Sequence, residues 1–503
     1  MKMYLNGHDC RYAAEQMLLT LFPGEHPEYP EGKPSGDRAE LSYFEGKKRG
    51  TAVCRLVREG RSFRGRAAFE HSRAPDALSR ARLMQRVVAL SFYRAARASG
   101  VEKPVWGALT GIRPGKLMSK LLQEGLSDRA ALSKFTHDYD ADTSRAKLCL
   151  HTAHAGLETE AALEPRDICL YIGIPFCPTR CAYCSFVSLS VEKSMKRIPE
   201  YLAALDREID ETAAVVKKLG LRPIAVYMGG GTPTTLSPSQ LDRLCAKLEN
   251  TFDFSSVREY TVEAGRPDTI THEKLEALKR HGVTRVSVNP QTMDDRVLAA
   301  IGRKHTAADV LTALRAVRET GGFLVNMDLI AGLPADTPEG FQKTLKTVLL
   351  LAPENVTVHT LALKKGSGIM REDTPLPPPG DVGEMITAAD EALFQAGYLP
   401  YYLYRQKYMS GGFENVGWQK DGTESLYNIC IMEELCSIIA LGGGGSTKLC
   451  MGNGRIERLF DPKYPAEYIG NIEKVLADKR KIVQLLTEPA GPASLQEDHI
   501  HAL

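Results

Sequence analysis

A chain of 503 residues exceeds what one ordinary hydrophobic core organises, so two or three domains are expected. Charged residues make up 25% of it yet the net charge is only +2, which argues against a polyanion-binding body and so against a nucleic-acid partner. No run approaches the about 20 apolar residues of a membrane span, and the opening MKMYLNGHDCRYAAEQ lacks the apolar core of a secretory signal. Eleven mostly scattered cysteines in such a chain read as reduced thiols with one metal site, not a disulfide framework, and predict a cytoplasmic protein.

In chain order, Asp9 to Phe22 has helical spacing, and Leu41–Phe44 and Thr51–Val57, split by a turn-like Glu45 to Gly50, predict a hairpin. From Pro75 to Ser99 the apolar residues again recur at helical spacing, interleaved with Arg80, Arg82, Arg86, Arg94 and Arg97. A solvated basic helix face accounts for those arginines. In TGIRPGKLMSKLL, Gly111 and Pro114 mark a turn and Lys116 to Leu122 begins a helix, a setting that can receive an anion. Arg113 there is a candidate carboxylate-binding side chain, because a guanidinium grips a carboxylate with two donors; a plain loop arginine is the alternative.

An apolar run, Ile168 to Ile174, then predicts a buried strand ended by Pro175, and YIGIPFCPTRCAYCSF places Cys177, Cys181 and Cys184 on the loop beyond it. Three readings stand on the CxxxCxxC spacing. Thiolates bind soft metals, and three of them can hold three corners of a [4Fe–4S] cube, leaving one iron open to a small molecule. Zinc would want a fourth ligand or a water, and a CxxC redox pair would leave Cys177 idle.

From here strand and helix patterns alternate. Strands are predicted at Ile168–Ile174, Ile224–Met228, Glu259–Glu263, Arg285–Val288, Leu324–Ile330 and Asn355–Leu361, with helices such as Tyr201 to Leu219 and Ser239 to Asn250 between them. Six such units imply a parallel sheet covered by helices and curved into part of a barrel, with its chemistry at the C-terminal strand ends. Gly229 to Thr234 (GGGTPT), Glu263, Gln291, Asp328 and Ala362 all fall at such ends. Buried structural roles are the alternative for Glu263 and Asp328, but a buried unpaired carboxylate is costly, which favours a polar cleft.

With Tyr171 ahead of Cys177 and Tyr183 just before Cys184, the loop resembles that of radical SAM enzymes. More narrowly it is similar to the oxygen-independent coproporphyrinogen III oxidase (coproporphyrinogen dehydrogenase) family and the related heme chaperones. The GIRP segment resembles the N-terminal extension of that family's longer, Gram-positive-type branch. The resemblance implies a [4Fe–4S] cluster held by Cys177, Cys181 and Cys184, whose open iron binds S-adenosylmethionine (SAM) and cleaves it to a 5′-deoxyadenosyl radical. It further implies cofactor contacts from Tyr171, Tyr183, Gly230, Gly231, Thr232, Glu263, Gln291, Arg303, Asp328 and Ala362. Asn289 stands where the family usually has glycine, which questions the turn there.

Two departures mark the chain. The oxidases carry a fourth cysteine two positions after the third, where this chain has Phe186. The chaperones' heme-ligating histidine aligns with Glu414 in Phe413-Glu414-Asn415-Val416-Gly417-Trp418. Leu376 to Gly380 (LPPPG) reads as a linker. Beyond it a helix is predicted over Asp381 to Gly397 and extended chain over Tyr401–Tyr404 and Phe413–Trp418. Cys430 and Cys436 fit one helix face, apart from the loop cysteines. Gly442 to Gly445 before Ser446-Thr447-Lys448 lacks the residue order of a phosphate-binding loop and is not read as one.

The fold expected is α/β: a radical SAM partial (β/α)6 barrel over 166–375, an α+β extension over 1–165, and a mainly helical substrate-side domain over 376–503. The activity implied by the resemblance is oxygen-independent oxidative decarboxylation of coproporphyrinogen III to protoporphyrinogen IX in heme (porphyrin) biosynthesis. A donor such as a flavodoxin or ferredoxin would supply electrons. A heme-delivery protein and a radical SAM oxidoreductase on another substrate are the alternatives.

Overall fold

The computed structural model describes residues 1–184, 195–363, 367–372, 374–406, 409–452 and 455–487. The chain forms two compact units, which divide after Leu150.

The first unit is built on a four-stranded sheet of β1 (Lys2–Asn6), β2 (Arg38–Glu45), β3 (Arg49–Arg58) and β4 (Arg61–Glu70), in that order. β1 runs parallel to β2, and the other neighbours are antiparallel. The expected hairpin is β2–β3. β4 is hard to read in sequence because its inward residues are Gly65, Ala67 and Phe69 between outward arginines, so the apolar alternation is faint. Helices Arg11–Leu21 and Ala77–Ala98 close the core, burying Met17, Leu18, Val88 and Phe92 with Leu41, Cys54 and Leu56 of the sheet. Gly65 is where helix and sheet meet: a Cβ there would lie 2.0 Å from the Ser91 carbonyl oxygen. Arg80, Arg82, Arg94 and Arg97 are exposed, and Arg86 is half-buried between Asp138 (3.4 Å) and the Tyr139 ring (4.5 Å to its centroid). That is the solvated basic face of the helix.

The second unit holds β5 (Asp167–Ile174), β6 (Arg222–Gly230), β7 (Glu259–Val262), β8 (Arg285–Ser287), β9 (Leu324–Ala331) and β10 (Asn355–Thr360). These are the six expected strands, each within two residues of its predicted ends, adjacent in chain order and all parallel. Every residue of β7 and β8 is buried, as parallel strands covered on both faces must be.

The sheet does not stop at the boundary expected near residue 376. β11 (Leu399–Tyr404) and β12 (Asn415–Gln419) add antiparallel strands beside β10. β13 (Ser437–Leu441) pairs parallel with the other edge, at β5, and β14 (Ser446–Cys450) and β15 (Ile456–Phe460) follow antiparallel. One open sheet of eleven strands results. LPPPG leads straight into helix Pro379–Gln395, which starts at its proline, the residue whose missing N–H costs least at a first helical turn. Among the described residues, no helix is long and apolar enough to cross a membrane.

Candidate functional site

Cys177, Cys181 and Cys184 follow β5 directly, on a loop held by backbone bonds from several elements. Gly231 N–H donates to Ile174 O at 2.8 Å and Thr232 N–H to Phe176 O at 2.7 Å, so the glycine turn after β6 is stitched to the start of the loop. A Cβ on Gly231 would lie 2.5 Å from Phe176 O, so this glycine is needed for backbone approach whatever it binds. Farther along, Ala182 N–H donates to Ile301 O at 3.0 Å and Ile369 N–H to Ala182 O at 3.1 Å.

Cys181 is buried, whereas Cys177 and Cys184 are half-buried. Burial pushes the Cys177 thiol up to about 11, against a contact of 3.4 Å with the Thr232 hydroxyl. A bound metal reverses such a shift by taking the place of the proton. Arg266, at 3.7 Å, directs Nη1 at Cys181 Sγ and also donates to Thr179 at 2.9 Å, while its Nε meets Asp268 at 3.0 Å. A buried guanidinium against a thiolate loop offsets charge that would otherwise be costly to bury. Three soft ligands, partial access and an adjacent cation together fit an iron–sulfur cluster with one open iron.

The strand ends gather the other expected residues. Tyr227 donates to Glu263 at 2.6 Å, yet burial still lifts that carboxyl to about 7. Asp328 accepts from Asn289 Nδ2 at 2.7 Å and Asn326 Nδ2 at 2.8 Å, with His359 at 3.8 Å. Burial opposes its charge, but His359, Asn326 and Thr357 hold it below the usual carboxylate range. Arg303 donates to Asn289 O at 3.0 Å, Gly265 O at 3.2 Å and the Tyr183 hydroxyl at 3.0 Å. Its Nε is buried with no partner in the chain, and so is Oε1 of Gln291. Buried orphans of this kind mark where a ligand would complete the hydrogen bonding. A connected network thus runs from the thiol loop through Tyr183, Arg303 and Asn289 to Asp328.

Asn289 does not strain its turn. Its side chain instead bridges to Asp328, and the left-handed backbone is taken by Gln291, at φ 67°, whose N–H reaches Asp328 O at 2.9 Å. Tyr171 stacks with Tyr227 and Tyr427, each at 6.3 Å between centroids. Ala362 forms an isolated bridge with Met409 beyond β10. Arg113 belongs to the other unit, where it stands just before helix Pro114–Gln123 and makes no side-chain capping bond. Ser185 and Phe186 lie outside the described residues.

Two residues carried little sequence signal: Arg266 and His305. His305 is buried with neither ring nitrogen hydrogen-bonded, Nδ1 lying 4.0 Å from Asp268, and burial with Arg303 and Arg266 nearby pushes it down to about 4. The spacing of Arg266, three residues past Glu263 at a strand end, was the one available hint. The N–H groups of Gly442 to Gly445 are consumed by Glu208, Tyr201, Pro462 O and Gly442 O, which leaves no phosphate cradle.

The expectation that Cys430 and Cys436 fit one helix face is corrected. Cys430 sits in helix Leu426–Glu433, but Cys436 lies beyond the left-handed cap at Glu434, so the two do not share a helix face. The turned chain brings both to Cys169 of β5.

A family model described as the radical SAM superfamily matches residues 171–348. The chain is 38% identical over 389 residues to the oxygen-independent coproporphyrinogen-III oxidase-like protein HemZ of Bacillus subtilis, covering 76% of this chain and 78% of that one. It is 38% identical over 195 residues to the heme chaperone HemW of the same organism, covering 39% of this chain and 50% of HemW. It is 32% identical over 247 residues to the oxygen-independent coproporphyrinogen III oxidase of Escherichia coli, covering 48% of this chain and 53% of that one. The chain thus spans about half the length of these last two relatives. Among solved structures, the E. coli coproporphyrinogen III oxidase HemN, a radical SAM enzyme, superposes with a TM-score of 0.52 at 24% identity over 64% of this chain and 72% of HemN, a likeness of fold.

Proposed function

Because the chain belongs to the oxygen-independent coproporphyrinogen-III oxidase-like family of radical SAM enzymes, whose cofactors are a [4Fe–4S] cluster and SAM, we propose that it oxidises coproporphyrinogen III. The observation that carries this reading is the network joining a three-thiol loop to carboxylates and a buried arginine at the ends of one parallel sheet. When bound, the cluster and SAM would supply the radical that takes a β-hydrogen from a propionate; CO2 would then leave and one electron would pass to an external one-electron acceptor, giving a vinyl group, and two rounds would give protoporphyrinogen IX.

The chain's own residues then have distinct tasks. Cys177, Cys181 and Cys184 hold the cluster, and Arg266 offsets thiolate charge at Cys181. Arg303 keeps Nε without a partner, a donor for the SAM carboxylate, and Asp328, together with Glu263 once a bound cation favours its ionised form, supplies negative charge for its cationic centres. Gly230, Gly231 and Thr232 line the methionine end, Gln291 offers its unpartnered oxygen, and Tyr171, Tyr183 and Ala362 complete the pocket walls. Residues beyond 376 act on the substrate side. The extension contributes Arg113 at a helix N-terminus, where a propionate would meet both guanidinium and backbone N–H groups. Electrons come from a small redox protein of the flavodoxin or ferredoxin kind.

The deciding experiment is an anaerobic assay of the reconstituted protein with coproporphyrinogen III, SAM and a reductant. Protoporphyrinogen IX, with 5′-deoxyadenosine and CO2 formed in step, is expected; 5′-deoxyadenosine without porphyrinogen turnover would move the enzyme to another substrate. In the same assay, Arg113→Ala should raise the substrate dissociation constant and leave cluster content unchanged, with lysine rescuing only in part. A second reading, heme delivery, is favoured by the match to HemW. Glu414, fully buried at the edge of β12, stands against it, and a heme titration followed by absorbance separates the two readings.

A further inference from the structure

The sulfurs of Cys169, Cys430 and Cys436 all lie within 4.8 Å of one another, and those of Cys169 and Cys436 are 3.7 Å apart. Among the described residues, they are the one group of three potential metal ligands that close, and the loop thiols Cys177, Cys181 and Cys184 do not form another. From these distances we propose that Cys169, Cys430 and Cys436 form a second, mononuclear site for a thiophilic d10 cation such as Zn(II).

The spacing selects the ligand. Sulfurs bonded at about 2.3 Å to a single tetrahedral ion stand about 3.8 Å from each other. A cube keeps its iron atoms at separate corners and needs its thiolates farther apart, so this trio suits one ion. All three residues are buried, at 0%, 0% and 8% exposure, among Ile224, Ile438 and Tyr427, so no hard oxygen ligand competes. Cys430 lies in the last turn of helix Leu426–Glu433, where the backbone dipole favours a cation. The nearby carboxylates are already paired, Asp167 with Arg222 at 2.7 Å and Glu259 with Arg285 at 3.5 Å, so neither would pull the ion away.

The position gives the ion a structural task. β5 continues five residues beyond Cys169, about 16 Å of strand, before reaching the loop that carries Cys177. Tyr427, one helical turn before Cys430, stacks on Tyr227 at 4.4 Å, and Tyr227 donates to Glu263. An ion clamping helix, β5 and β13 together would therefore hold the aromatic stack that supports Glu263. The fourth position would go to a small thiol or a water admitted beside Cys436, the one of the three with any exposure.

The test uses full-length protein. After anaerobic cluster reconstitution, the protein is equilibrated with Zn(II), passed over a mild chelating resin, and its iron and zinc are counted per chain. One zinc beside the cluster iron is expected. Cys169→Ala and Cys430→Ala should each lose the zinc and keep the iron, and Cys181→Ala should do the reverse. Co(II) in place of zinc should give thiolate charge-transfer and tetrahedral d–d bands. Should the alanine variants misfold, alkylation pulsed in mild denaturant and mapped by mass spectrometry on the wild type decides instead, since these buried thiols react only on opening and zinc must protect Cys169, Cys430 and Cys436 together. No zinc retained by the wild type, zinc retained by the variants, absence of protection, or a Cys169–Cys436 disulfide in the anaerobic protein would each overturn the proposal.

Discussion

Two cysteine groups stand at opposite ends of β5, and they were assembled differently. The loop group comes from eight consecutive positions, 177 to 184, and is partly accessible beside a buried arginine. The other joins residues as far as 267 positions apart, in an apolar pocket closed by helix and sheet. A local group can bind a cofactor whenever its strand positions the loop. A long-range group exists only once the sheet has closed, so its integrity reports on folding as well as on ligand.

The largest break in this comparison is Cys181→Ala, which should remove the cluster and all turnover while Cys430→Ala keeps cluster iron; iron and sulfide analysis after anaerobic reconstitution checks both. Next comes the anchoring of the loop end of β5. Lys479 lies 3.0 Å from both Glu208 and Asp461, buried, and Glu208 accepts from Gly442 N–H at 2.8 Å beside the β5 terminus. Lys479→Met leaves two carboxylates without their cation and should cost about 3–5 kcal/mol, measured by denaturant unfolding. Gly231→Ala forces a methyl group onto the Phe176 carbonyl and should cost about 1–3 kcal/mol or more and lower cluster incorporation, whereas Gly380→Ala, with open space around it, should stay within about 0.5 kcal/mol.

The aromatic support between the two groups can be sharpened by pH. Burial raises Glu263 from 4.5 to about 7, so the folded state keeps a proton that the unfolded state releases over that window. Stability should therefore fall as pH rises from about 4.5 to about 7, by about 1–3 kcal/mol, and Glu263→Gln should remove that fall, as thermal melts at a series of pH values would record. SAM affinity is a separate readout: Arg303→Ala should weaken it by about 1.5–3 kcal/mol in equilibrium dialysis, through loss of a charge-assisted bond.

The sequence by itself determined the six parallel strands, because each is a short apolar run bounded by turn residues and that pattern is local. It also determined the loop thiols, whose ligand spacing is contiguous, and the strand-end positions of Glu263, Gln291 and Asp328. Tertiary structure decided what depends on distant pairing. β11 to β15 extend the same sheet on both sides, although LPPPG reads as a break, because an edge strand's hydrogen-bonding groups accept a partner from anywhere in the chain. Arg266 reaches Cys181 from the end of the third parallel strand, and Asn289, unexpected at its turn, became the bridge between Arg303 and Asp328. Cys169, Cys430 and Cys436 show the limit most clearly. Each is a core residue in its own segment, and only the parallel pairing of β13 with β5, which sets Ile438 beside Cys169, brings the sulfurs together.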